Sequence, residues 1–278
     1  MRKKHIYLRT LKISILSLMF SSLFLGSCES DPDNSGGVLI TDSVLEEQAT
    51  DNIMYSVPAP SDMAGLLIDN PNLTFNADYL NSTDNHTKYS TNKRLAINLG
   101  IYIADLSYAG YYEKNQISRE YFDLTERISQ ELGIDNAIGE EQAKIILEGK
   151  PDKDRLIRII NETFMNTDAY LLENKRHDIM AMILVGGWIE AQYIAISYTD
   201  GLPEKYPDLT RSILDQAISV EIMTRMLDQA EKDVNLKDLK ADFEKISLLY
   251  KKMGENPSNK DFKDFCTAIK DIRTRYTA

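Results

Sequence analysis

The stretch that decides the fold is IMAMILVGGWIEAQYIAI, residues 179–196. It is apolar on every side at helical spacing and contains two adjacent glycines, one Trp and a single acid. A surface helix shows one apolar stripe, whereas a helix apolar all round is a central one. At 18 residues it only reaches the minimum for a membrane span. Glu190 and Gln192 near its middle would be costly in lipid, so the expectation is a buried core helix.

A second stretch has the same character: LAINLGIYIADLSYA, residues 95–109. Gly100 and Gly110 in one helix, and Gly186 and Gly187 in the other, each cost about 1 kcal/mol relative to Ala. Glycine is understandable there if another backbone passes close by. The two helices are therefore expected to cross in the core.

Working outward, helices are expected over 92–113, 118–132, 140–148, 151–174, 176–199 and 207–233. Gly133 and Gly149 stop two of them, and Pro151 opens another. Leu209, Ile213, Ala217, Val220 and Leu227 form one stripe of the helix expected over 207–233. Leu236, Leu239, Phe243, Ile246, Tyr250 and Met253 step by three and four, as do Phe262, Phe265, Ile269, Ile272 and Tyr276. Asn235 and Ser258 stand as N-caps before these last two helices, and Gly254 and Pro257 punctuate the gap. The fold class expected is all-α, an irregular antiparallel bundle of about eight helices ending in a helical hairpin. Residues 44–90, broken by Pro58, Pro60 and Pro71, read as an irregular lead-in with one short helix after Ser61. Stretches of that length tend to be functional or mobile.

Ahead of the body, Arg2, Lys3, Lys4, Arg9 and Lys12 precede an apolar run and then LGSC at 25–28. A basic head, an apolar core and small residues before a cut site describe an export signal over 1–27. The ending resembles a bacterial lipobox, which implies lipid on Cys28 at both the sulfur and the new amino group. More than one acyl chain holds a membrane durably. Glu29, Ser30, Asp31 and Asp33 resemble the acidic segment that follows the lipidated Cys in exported lipoproteins of the Bacteroidota. Residues 28–43 read as a flexible acidic tether, and Asp42-Ser43-Val44 resembles an O-glycosylation acceptor of that group. The segments at 99–109 and 186–190 are similar to those of uncharacterised all-helical Bacteroidota lipoproteins. That resemblance implies an outer-membrane address, on the periplasmic or the cell-surface face, and a helical fold, with no activity attached.

Composition narrows the partners. The chain has 32 Lys+Arg and 43 Asp+Glu, and removal of 1–27 takes away five basic and no acidic residues, leaving a net charge of −16. Such a field repels phosphate backbones, so nucleic acid is excluded as a partner. With Cys28 lipidated, Cys266 is alone and no internal disulfide forms. HExxH, paired CxxC, GxSxG and phosphate-binding glycine loops are absent from the sequence, and no metal or cofactor is expected.

The residues left to carry chemistry are polar ones in the two central helices. Asn98 and Asp105 share a face with Tyr102 between them, and Glu190 lies between Trp188 and Tyr193. Buried carboxylates need partners, for which Arg94, Arg155, Arg158, Arg176 or a Tyr hydroxyl are the candidates. Asp105 and Glu190 are the candidate catalytic acids. Asn98, Tyr102, Trp188 and Tyr193 are the candidate binding residues. The leading expectation is a non-enzymatic binding or accessory lipoprotein that meets an envelope protein or a small-molecule ligand. A hydrolytic or metal-dependent enzyme using Asp105 and Glu190 is the alternative, and a structural envelope component the second.

Overall fold

Thr91 starts the first long helix by accepting a hydrogen bond from the Arg94 amide at 3.3 Å. This helix, α1 (Asn92–Tyr111), buries 15 of its 20 residues. It is followed by α2 (Asn115–Glu131), α3 (Lys153–Glu173), α4 (His177–Thr199), α5 (Pro207–Leu214), α6 (Ala217–Ala230), α7 (Lys237–Met253) and α8 (Asn259–Thr277). Two 3₁₀ turns, Ala77–Tyr79 and Thr83–Lys88, precede them. The computed structural model describes residues 72–134, 145–146, 151–230 and 235–278. Among these the fold is all-α, eight helices and no strand. The expected signal, Cys28, the tether, Asp42-Ser43-Val44, the short helix after Ser61 and most of 140–148 lie outside the described residues.

The centre is the pairing of α1 with α4, the most extensive helix contact in the fold. A Cβ added to Gly100 would lie 1.9 Å from the Ile183 carbonyl oxygen, and one added to Gly186 would lie 1.9 Å from that of Ile97. Only glycine lets the two backbones approach this closely. Helix α4 is long and apolar enough to cross a membrane, yet 19 of its 23 residues are buried inside the protein. It is the core helix that its all-round apolar surface predicts.

Around this pair the other helices are laid by local signals. Gly133, at φ +67°, ends α2 in a Schellman motif, with Ile134 N–H donating to Ser129 O and Gly133 N–H to Gln130 O. Arg176 then donates to the Leu132 carbonyl at 2.9 Å, tying the end of α2 to the start of α4. Asp152 caps α3, so that helix begins two residues after Pro151. Only Leu156, Ile159, Ile160 and Leu171 of α3 are buried, which makes it peripheral. Ser258 caps α8 through the Asp261 amide, and α7 and α8 pair as the closing hairpin. Asn235 accepts from the Lys237 amide at 3.4 Å but stands one residue before the N-cap position, which Leu236 occupies.

One expectation is corrected. The helix expected over 207–233 is two helices, α5 and α6, broken by a turn at Asp215 and Gln216. No glycine or proline marks the break. Its apolar stripe survives because Leu209, Ile213, Val220 and Leu227 are all fully buried on either side.

Candidate functional site

The crossing of α1 and α4 brings Asp105 and Glu190 together, both wholly buried. Their partner comes from α8. Arg273 donates from Nε to Glu190 Oε2 at 2.9 Å and from Nη2 to Glu190 Oε1 at 2.8 Å, a two-pronged pair. The guanidinium also lies 4.2 Å over the Tyr193 ring. None of the arginines nominated from the sequence holds an acid here. The pairing residue is Arg273, which falls within the apolar stripe of α8, four after Ile269 and three before Tyr276. A cation inside an apolar stripe is the signal that could have found it.

Asp105 has a different environment. Its Oδ2 accepts from the Asn81 amide at 3.1 Å, while Oδ1 meets no protein donor. Its carboxyl is within hydrogen-bonding reach of Glu190. Two ionised carboxylates are both acceptors only, so that contact requires a proton. Burial first, and then the charge of Glu190, hold the Asp105 carboxyl well above its usual range. Of the two acids it is Asp105 whose protonated form the surroundings favour, while both Glu190 oxygens are held by Arg273. Burial disfavours the charged guanidinium, but Glu190 and Asp105 more than offset this and Arg273 stays protonated.

Above it lies the lead-in, residues 72–90, of which the helices grip the main chain. Tyr112 donates to Leu73 O at 3.2 Å, Tyr198 to Thr74 O at 2.7 Å, Tyr121 to Asn81 O at 2.8 Å and Tyr102 to Ser82 O at 2.9 Å. The Asn76 amide donates to the Tyr108 hydroxyl at 2.9 Å, and Arg273 reaches Tyr79 O at 3.4 Å. With Asp105 on the Asn81 amide, seven side chains of the helical body bond to the backbone of residues 73–82. Four tyrosines thus serve as hydroxyl donors to a strap, and Tyr108 as an acceptor from it.

The other candidates separate. Asn98 is fully buried and donates to Arg94 O and Tyr276 O, both at 2.9 Å, tying α1 to the end of α8. Tyr102 belongs to the strap contact, and Tyr193 lies under Arg273. Trp188 is not part of the acid cluster. It is buried with its ring 5.4 Å from that of Phe243 on α7. Cys266 is a free, buried thiol whose pKa burial pushes up to about 11.

Two openings lie elsewhere. A cleft of about 530 Å³ sits where α5 breaks into α6, with Arg211, Asp215, Tyr250, Glu255 and Asn256 in its wall. A narrow apolar crevice of about 30 Å³ runs between α1, α2 and α3. Neither is lined by Asp105 or Glu190. Among the described residues, no three His, Cys, Asp or Glu side chains are grouped so as to hold a metal ion.

No protein-family model matches the chain, and neither a curated protein nor a solved structure matches it.

Proposed function

We propose that this chain is a lipoprotein held in an outer membrane through lipid on Cys28, and that its helical body is a binding or accessory module without chemistry of its own. The observation that carries the second half is the occupancy of the two acids. Both Glu190 oxygens are taken by Arg273, and Asp105 is bonded to the Asn81 amide, with neither acid exposed. A catalytic carboxylate must come within hydrogen-bond reach of a substrate, directly or through one water. Here Arg273 and the Asn81 amide hold three of the four carboxyl oxygens. The anchor half rests on the basic head, apolar run and LGSC ending at residues 2–28.

Cys28→Ala tests the anchor. The variant is expected to lose metabolic labelling with palmitate and to leave the outer-membrane fraction, whereas unchanged fractionation would refute it. Pull-down of the native chain from solubilised envelopes tests the binding role. A partner recovered reproducibly supports it. An empty pull-down together with no ligand-induced rise in melting temperature across a broad panel would sink it.

A further inference from the structure

We infer that the groove filled by residues 73–82 is a peptide-binding groove, that the chain occupies it in cis, and that an aromatic-bearing peptide segment of a partner protein, able to adopt the strap's course with its 3₁₀ turn, can take the strap's place. The inference deepens the binding reading above and rests on it.

The argument begins with what the helices recognise. Seven side chains, from α1, α2, α4 and α8, bond to strap backbone groups at Leu73, Thr74, Asn76, Tyr79, Asn81 and Ser82. Recognition of main chain gives affinity to a peptide that can follow the strap's course, and pockets for particular side chains then give specificity. The pockets here are legible. Leu73 is buried, Phe75 stacks on Tyr108 with ring centroids 5.1 Å apart, and Tyr79 meets Tyr198 edge-on at 5.1 Å. Asn81 fills the last position at 1 % exposure. The partner segment thus carries an apolar residue, two aromatics and a small polar residue at the spacing Leu73, Phe75, Tyr79 and Asn81.

The strap lies on the core with most of its side chains partly buried or exposed, Phe75, Tyr79 and Leu80 among the former. Of residues 72–88 only Leu73 and Asn81 are buried. The groove below is a different kind of surface, with Tyr102, Tyr108, Tyr121 and Tyr198 all nearly inaccessible and their hydroxyls turned to the strap. When the strap leaves, these hydroxyls and Asp105 present a ready set of donors and acceptors. A segment tethered in cis competes at an effective concentration on the order of millimolar, so a partner must outbid it or the strap must first loosen.

The probe is a synthetic peptide with the sequence of residues 72–82, NLTFNADYLNS, titrated into the full-length chain in detergent. Leu73→Ala weakens the cis strap. Phe75→Ala is the second loosening variant, used should the first lose its helical circular dichroism. The folded loosened chain is expected to bind the peptide about 10-fold or more tightly than the native chain, as the competent fraction rises. A scrambled peptide is expected not to bind. Adding Tyr112→Phe and Tyr121→Phe, which remove the donors to Leu73 O and Asn81 O, is expected to cancel the gain. Equal binding of native and scrambled peptides by a folded, loosened chain would overturn the inference. So would an envelope partner recovered equally well by the native chain and by the Tyr112→Phe, Tyr121→Phe double variant, an outcome that leaves the binding role itself standing.

Discussion

Replacing the two buried acids one at a time should have unequal effects, although both are wholly inside the protein. In Glu190→Gln the Arg273 guanidinium keeps its charge and loses its only ionised partner among the described residues. Removing one member of a buried ion pair costs about 3–5 kcal/mol. Two features put this case at or below the lower end. The Arg273 side chain retains 14 % exposure and lies over Tyr193. Asp105, still buried but relieved of the Glu190 charge, the second cause of its raised pKa, ionises more readily beside Arg273 and partly replaces Glu190 as countercharge. The expected loss is therefore about 2–3 kcal/mol, or a fall of roughly 4–12 °C in melting temperature for a domain of this size. Asp105→Asn behaves differently because Asn reproduces a protonated Asp. Its carbonyl accepts from the Asn81 amide and its NH₂ donates to Glu190, so the change should stay within about 1 kcal/mol. Combining the two removes the reserve acid and should cost at least about 1 kcal/mol more than the sum. Urea unfolding followed by circular dichroism at neutral pH measures all three. A large loss for Asp105→Asn with little for Glu190→Gln would refute the assignment of proton and charge.

Three further outcomes follow from the same geometry. Asp105 holds its proton above the ordinary carboxylate range, so the folded state binds more protons than the unfolded one in that window. Its contribution to stability is full below the unfolded pKa and is lost as pH rises through the folded one; Asp105→Asn should remove that slope from an unfolding-against-pH series. The carboxyls of Asp200, Asp261 and Asp264, each held below the usual carboxylate range by a paired Lys, act with opposite sign: their contribution is present above the unfolded pKa and is lost as pH falls through the folded one. Gly186→Ala should cost about 3 kcal/mol or prevent folding, because a Cβ 1.9 Å from the Ile97 oxygen forces the central helices apart; a native urea midpoint would contradict the close crossing. Cys266 should resist a thiol reagent in the native chain and react on unfolding, since it is buried with its pKa pushed up to about 11; rapid native labelling would contradict that burial.

Much of the core was legible because its signals are local. Glycines in helices apolar on every side pointed to a close crossing, and Gly100 and Gly186 make it. Acids within those same helices pointed to one interior cluster, and Asp105 and Glu190 form it. Arg273 escaped notice because it is 83 residues from Glu190 in sequence and sits in a helix with an ordinary stripe. Its place inside that stripe was the available clue. The break between α5 and α6 leaves no glycine or proline and preserves the apolar spacing, so periodicity runs through it. The strap was the least legible element. It is held by its own backbone, and main-chain bonds impose no pattern on the residues that make them.

The central claim is the proposed role of Asp105 and Glu190 as a buried clasp, held by Arg273 and the Asn81 amide under the strap. Carboxyl-carbon NMR of the ¹³C-labelled chain, titrated across the neutral range and assigned with Asp105→Asn and Glu190→Gln, tests this most directly. Asp105 is predicted to keep its proton well above the ordinary carboxylate range. An Asp105 that ionises in the ordinary carboxylate range, as a solvent-reached acid would, contradicts it.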